Sequence, residues 1–123
     1  WSIYEPSEQD VRASIEKFAS LGLKVQVTEL DISVYRSEQG RREKKPDEGV
    51  FTPEMEQKQI DQYKMAFRVF RENKKAISGI TFWNVTDRSS WLDNFPVRGR
   101  KNYPLLFDQK LRPKKAYWEV VKF

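Results

Sequence analysis

The chain has 123 residues, 38% of them hydrophobic and 33% charged, with a net charge of +5. That length suits one domain, and that balance suits a chain that buries a core in water. With no Cys and no His, it excludes disulfides, thiol nucleophiles, thiolate metal sites and serine-type triads built on His, and it lacks the commonest zinc ligand. Acid–base chemistry is left to carboxylates, Lys and Tyr, and neither a metal nor a cofactor is expected. The Lys and Arg residues are interleaved with 18 acidic ones, as on a solvated mixed-charge surface, so nucleic acid is not the expected partner. No apolar run approaches the ~18 residues of a membrane span, so no membrane partner is expected either. No signal peptide opens the chain, and the absence of Cys suits the cytoplasm without excluding secretion, so the location stays open. The start at Trp1 rather than Met is what a segment of a longer protein would show. Aromatics make up 14%, a supply that suits flat apolar ligands as well as a core.

In chain order, Ser7-Glu8-Gln9-Asp10 matches a capping box. Val11, Ile15, Phe18 and Ala19 then make an amphipathic stripe and Gly22 a stop, which predicts a helix over 8–21. Leu23 to Leu30 reads as a strand, with β-branched Val25 and Val27. Tyr35 to Gly49 is polar and without period, a loop carrying the exposed run Arg41 to Lys45. Thr52-Pro53-Glu54 opens a second helix over 53–72, with Ile60, Tyr63, Phe67 and Phe70 on its apolar side and an end near Asn73. Gly79 to Trp83 is a second short strand, Asn84 to Arg112 a loop, and Pro113 opens a last helix with Ala116, Tyr117, Val120 and Val121 as its apolar side.

The order is α-β-α-β-α. Two strands joined by a helix form a right-handed βαβ unit with parallel strands. A parallel pair needs both faces and both edges covered, which two strands alone do not achieve. An α/β barrel of eight repeats takes ~250 residues. The expected fold class is therefore α/β, part of a (β/α)8 TIM barrel. Open strand edges and uncovered helix faces predict a complementary part of the barrel, self-association, or partial disorder in the 36–50 loop.

In such barrels chemistry sits at the C-terminal ends of the strands. The first strand ends in Thr28-Glu29-Leu30-Asp31; the second ends in Trp83 and leads to Asp87 and Trp91. Strict alternation puts Val25, Val27, Glu29 and Asp31 on one face, with Glu29 capping an apolar column, as a nucleophile or proton carrier would be placed. An ion pair at a strand end accounts for Glu29 alone, a turn cap for Asp31, and a core place for Trp83. Trp91, in a polar loop, has no obvious core role and suits a ligand platform.

Lys24-Val25-Gln26-Val27-Thr28-Glu29-Leu30-Asp31-Ile32 resembles the nucleophile strand of glycoside hydrolase family 10, the endo-β-1,4-xylanases. Thr81-Phe82-Trp83-Asn84-Val85-Thr86-Asp87 followed by Ser90-Trp91-Leu92 resembles the family's eighth strand and the loop after it. Pro104-Leu105-Leu106-Phe107-Asp108 and Lys114-Lys115-Ala116-Tyr117 resemble its closing segment. The resemblance runs from Trp1 to Phe123 and implies that residues 1–123 are the C-terminal segment of a single catalytic domain, starting after the sixth strand. It implies Glu29 as nucleophile, Asp31 as the residue that orients a His outside the chain, and Trp83 and Trp91 as walls of the sugar subsites. Tyr35 and Asp87 join these as substrate-binding residues. The implied substrate is xylan or a xylo-oligosaccharide, cleaved with retention by two carboxyl groups ~5–5.5 Å apart. The family's acid/base Glu sits in a Trp-x-x-x-Asn-Glu type setting that this chain lacks. The expectation is thus an inactive isolated chain that regains hydrolysis with its N-terminal complement. A non-catalytic carbohydrate-binding or structural fragment is the alternative.

Overall fold

Ser7 starts the first helix. A computed structural model describes residues 1–38 and 40–122, and in it the Ser7 hydroxyl accepts from the Asp10 amide while the Asp10 carboxylate accepts from the Ser7 amide. Two of the helix's orphan donors are satisfied by this exchange. Helix α1 (Glu8–Ser20) buries Val11 and Ile15. Phe18, expected to continue that stripe, is instead exposed. Gly22 takes φ +76°, and the amides of Gly22 and Leu23 return to the carbonyls of Ala19 and Phe18, a Schellman end that only a residue at ease in the left-handed region makes without strain. Leu23 is consumed by that cap, so strand β1 (Val25–Leu30) begins two residues later than the apolar pattern suggests.

Thr52 caps helix α2 (Pro53–Glu72) and Asn73 ends it, as the sequence predicts. Its buried side is Gln59, Tyr63, Ala66, Val69 and Phe70, rotated slightly from the expected one, with Ile60 and Phe67 only partly covered. Strand β2 (Ile77–Phe82) begins earlier than expected because Ile77 pairs with Val25, and it ends before Trp83. The long loop after it holds two short 3-10 turns, Asp87–Ser89 and Trp91–Asp93, where only irregular chain was expected. Helix α3 (Lys115–Val120) starts after Pro113 rather than at it, because Pro113 bridges Phe107 and the Lys114 amide is bound to the Leu106 carbonyl.

β1 and β2 pair in parallel across the α2 crossover, the βαβ unit expected. Tyr63, Ala66, Val69 and Phe70 of α2 pack with Val11 and Ile15 of α1, Leu30, Ile32, Val34 and Leu106, and with Ala116 and Val120 of α3. Phe82 brings the sheet onto α2 by stacking on Phe67 at 6.1 Å. The other face of the sheet carries Gln26, Thr28, Ser78 and Thr81, all exposed and all polar.

Candidate active site

The end of β1 carries an extra residue. Val27 pairs with Ile80 and Leu30 with Phe82, so three steps on β1 match two on β2. This is a bulge, and it falls on Glu29, whose φ is +57°. A non-glycine residue there costs roughly 1–2 kcal/mol. The extra residue breaks the alternation: Thr28 and Glu29 are both exposed, and Leu30 is buried against the helices. Glu29 therefore does not crown the column of Val25 and Val27, as strict alternation requires. It lies at the end of the open polar face that carries Gln26 and Thr28. Among the described residues its carboxylate meets no hydrogen-bond donor and is exposed.

Asp31, two residues on, is buried. Burial pushes its carboxyl above the ordinary carboxylate range, and the indole of Trp91 opposes the shift. That indole Nε1–H donates to Asp31 Oδ2 at 2.9 Å, across 60 residues of chain. Trp91 stays 47% exposed and stacks on Phe95 with centroids 5.4 Å apart and planes at 22°. The two rings form a flat apolar shelf, the shape that sugar faces stack on. Asp31, Tyr35, Trp91 and Phe95 share the walls of one cleft of about 580 Å³. Glu29 and Trp83 are not among its walls. Trp83 is half exposed, and its amide donates to the Leu30 carbonyl at 3.1 Å, which sets it beside the end of β1.

Tyr35 keeps its ring on the cleft but uses its hydroxyl internally, accepting from the Gly49 amide at 2.8 Å. The Arg100 guanidinium lies 3.9 Å from the Tyr35 ring centroid. Arg100 is only 2% exposed and bonds both Glu38 and Glu48, which Arg41 also grips. Arg41 thus belongs to a partly buried ion network and not to a freely exposed basic run. Asp87 departs from expectation too. The resemblance implies a substrate-binding role, whereas the side chain is buried inside the loop. Oδ1 accepts from the Leu105 amide at 2.8 Å and Oδ2 from Lys114 Nζ at 2.9 Å. Burial moves both partners toward neutrality, Asp87 up and Lys114 down, against their mutual attraction. Asp87 holds the loop that carries Trp91, with both carboxylate oxygens bonded inside the protein.

Sequence reasoning missed Asn102 and Arg100. Asn102 is buried, with Oδ1 accepting from the Val34 amide at 3.1 Å and Nδ2 donating to Ser33 Oγ at 2.9 Å. Both residues tie the loop after β1 to the loop after β2. The only sequence sign is a basic and an amide residue within three positions of the aromatic Tyr103, which is too common to single out.

The glycosyl hydrolase family 10 model matches residues 1–123. The chain is 44% identical over 121 residues to an endo-1,4-beta-xylanase of Geobacillus stearothermophilus, covering 98% of this chain and 36% of that protein. It is 44% identical over 125 residues to a beta-1,4-xylanase of Dictyoglomus thermophilum, covering 100% and 34%. Its structure is similar to xylanase XynB from Paenibacillus barcinonensis complexed with a conduramine derivative, with a TM-score of 0.89, 45% identity, and 98% and 35% of the two chains covered. It is also similar to a mutant structure in complex with xylotriose, with a TM-score of 0.90, 44% identity, and 100% and 37% covered. The chain thus spans about a third of the length of these relatives, and its architecture is that of part of a (β/α)8 barrel.

Proposed function

The chain belongs to glycosyl hydrolase family 10, and from that premise we propose that it carries the nucleophile half of a retaining endo-1,4-β-xylanase site, with Glu29 as nucleophile. One observation carries the assignment: the bulge that turns Glu29 through φ +57° and lifts its carboxylate onto the open polar face at the strand end. Backbone strain of this kind persists where the surroundings impose it, and functional sites are where it gathers. The names of the relatives and the xylotriose held by a structural neighbour support xylan as substrate.

The chemistry follows from two carboxyl groups on opposite sides of a glycosidic bond. The ionised Glu29 carboxylate attacks the anomeric carbon of a xylose unit. The bond to the leaving oxygen breaks as a second carboxyl group, supplied by barrel segments beyond this third, protonates that oxygen. The same group then takes a proton from water, which attacks the anomeric carbon and releases Glu29. Two inversions give net retention. Trp83 and Trp91 flank the sugar with their ring faces, and Asp31 fixes the Trp91 indole through its Nε1–H. Asp87 and Lys114 support the loop from behind.

In this reading the complementary N-terminal portion of the barrel is the chain's partner, and the isolated chain is inactive on xylan. In the full-length protein Glu29→Gln keeps the size and removes the charge. It should cost about 10³-fold or more in turnover, the scale of losing a nucleophile, while binding of xylo-oligosaccharide is retained. Unchanged turnover would end the assignment. Titrating the isolated chain with xylo-oligosaccharide under Trp fluorescence should give binding without hydrolysis, and a robust rate from it alone would contradict the need for a complement.

A further inference from the structure

We infer that Asp93 is a positioning residue for Trp91: it locks the turn that carries the indole and so sets that indole against Asp31 and the bound sugar. The inference rests on the reading of Trp91 as a wall of the sugar site. Asp93 does not line the cleft, and it acts through its neighbours. Trp91–Asp93 is a single three-residue 3-10 turn, and so short a turn has little rigidity of its own. Its exposed indole has no core to fix it, and only Leu92 of the three residues is buried. Ser90 Oγ caps the near end by accepting from the Leu92 amide at 3.2 Å, and the remaining hold comes from polar links at the turn's far end.

Those links close into a ring. Asp93 Oδ1 accepts from the Asn102 amide at 2.8 Å, and Oδ2 pairs with Lys101 Nζ. The Lys101 ammonium also donates to the Asp87 carbonyl at 2.5 Å, joining the two 3-10 turns. The Asn102 side chain then reaches across to Val34 and Ser33. Two residues before Ser33 is Asp31, whose Oδ2 receives the Trp91 Nε1–H at 2.9 Å. The circuit runs from the Trp91 turn through Asp93, Asn102 and Ser33 to Asp31, and back to the indole. Each link joins the loop after β1 to the loop after β2 or stiffens one of them. In such a circuit the loss of one member frees the others to shift. Asp93 is the member that both fixes the turn and receives a cation, so its removal releases the indole from one side while Asp31 still pulls from the other.

A double-mutant cycle on the full-length protein tests this, with hydrolysis of xylan as the readout. Asp93→Ala should lower kcat/KM by about tenfold to a hundredfold, the scale of misplacing a group that orients substrate, mostly through KM. Asp93→Asn keeps an oxygen for the Asn102 amide and should recover part of that loss. In a Trp91→Ala background there is no indole to place, so Asp93→Ala should change kcat/KM by less than about twofold. Equal losses in both backgrounds overturn the inference. If Asp93→Ala does not fold, the same cycle run with Asp93→Asn decides it by the same criterion. Failure of the underlying reading looks different: Trp91→Ala alone would leave xylan kinetics unchanged, or Glu29→Gln would keep its turnover. Equal Asp93 losses alongside an inactive Glu29→Gln enzyme remove the Asp93 inference alone.

Discussion

The two ends of this small parallel sheet are held in opposite ways. At the C-terminal end, loops 31–49 and 84–104 meet through side-chain hydrogen bonds and ion pairs: Asn102 to Val34 and Ser33, Arg100 to Glu38 and Glu48, Trp91 to Asp31. At the other end, where α1 turns into β1, the ties among the described residues are mostly backbone, with the Lys24 ammonium donating to the Lys75 carbonyl beside the helix cap, and Phe18, Leu21 and Leu23 stand 50%, 70% and 52% exposed. Polar ties are directional and fix loop geometry to within hydrogen-bond tolerance, which a site needs. Apolar side chains in water fix nothing and favour whatever covers them. The difference separates an end whose loops are tied to one geometry from an end that leaves apolar side chains in water.

The sharpest way to break the contrast is at the buried pair behind the cleft. Lys114→Met fills the same space but leaves the Asp87 carboxylate buried, 1% exposed, without its cation. Stranding one member of such a pair costs about 3–5 kcal/mol. Urea unfolding of the full-length protein should show this as a lower midpoint, and the Trp91 loop should loosen with it. A loss under ~1 kcal/mol would mean that the pair does not hold the loop. Asn102→Ala comes next. It leaves the buried Val34 amide without its acceptor and frees Ser33 Oγ, for about 1–3 kcal/mol per stranded group. Because Asn102 belongs to the circuit through Asp31 and Trp91, the same variant should raise KM for xylo-oligosaccharide, whereas a purely packing role would leave KM alone.

A smaller effect is expected from acid. Arg41 holds the Glu48 carboxyl down to about 2, against an ordinary 4.5, and Arg100, then Arg41, hold Glu38 below its ordinary value as well. A depressed folded-state pKa means that the unfolded chain binds protons more readily, so stability falls as pH falls. The contribution is fully present above the ordinary 4.5 of Glu48 and fades as pH drops toward about 2. These groups are partly solvated, so screening by water and salt limits the size of the effect. Thermal midpoints followed from pH 6 to pH 2 (about that range) should fall in this window, and Arg41→Gln should flatten the slope. An unchanged slope in Arg41→Gln would show that Arg41 does not set the Glu48 titration.

What was legible in the sequence follows the same division. The helices were, because capping residues and a 3.6-residue period are local: Ser7 with Asp10, Thr52 with Pro53, Gly22 at the stop. The parallel pairing was legible from the crossover helix, and family resemblance supplied Glu29, Asp31, Trp83 and Trp91 as the residues of the proposed site. The bulge at Glu29 was not, because a glutamate in the left-handed region carries no sequence mark, and strict alternation put its side chain on the wrong face. The burial of Asp87 was not legible for a related reason. Its nearness to Trp91 in sequence says nothing of direction, and direction is set by Lys114, 27 residues later. Asn102 and Asp93 were invisible because their partners are distant in sequence, Val34 and Ser33 for Asn102, Lys101 and the Asn102 amide for Asp93, and any polar residue at those positions reads alike until the chain is folded.

The smallest effect on folding, and the one that completes the contrast, belongs to the uncovered end. Leu21→Ser and Leu23→Ser remove apolar side chains that are mostly in water already, so they give up little burial. They should change the stability of the chain itself by no more than ~0.5 kcal/mol. Their consequence lies elsewhere. If this end is a surface awaiting cover, the covering neighbour gains ~25 cal/mol for each Å² of apolar area it removes from water, and polar replacements forfeit that gain. The isolated chain should therefore self-associate or bind the complementary barrel portion less tightly when both leucines are serine, with its own unfolding midpoint nearly unmoved. Sedimentation at rising concentration reads the first quantity and urea unfolding the second. A large drop in the unfolding midpoint with unchanged association would mean that these leucines already serve the chain's own fold, and the distinction between its two ends would collapse.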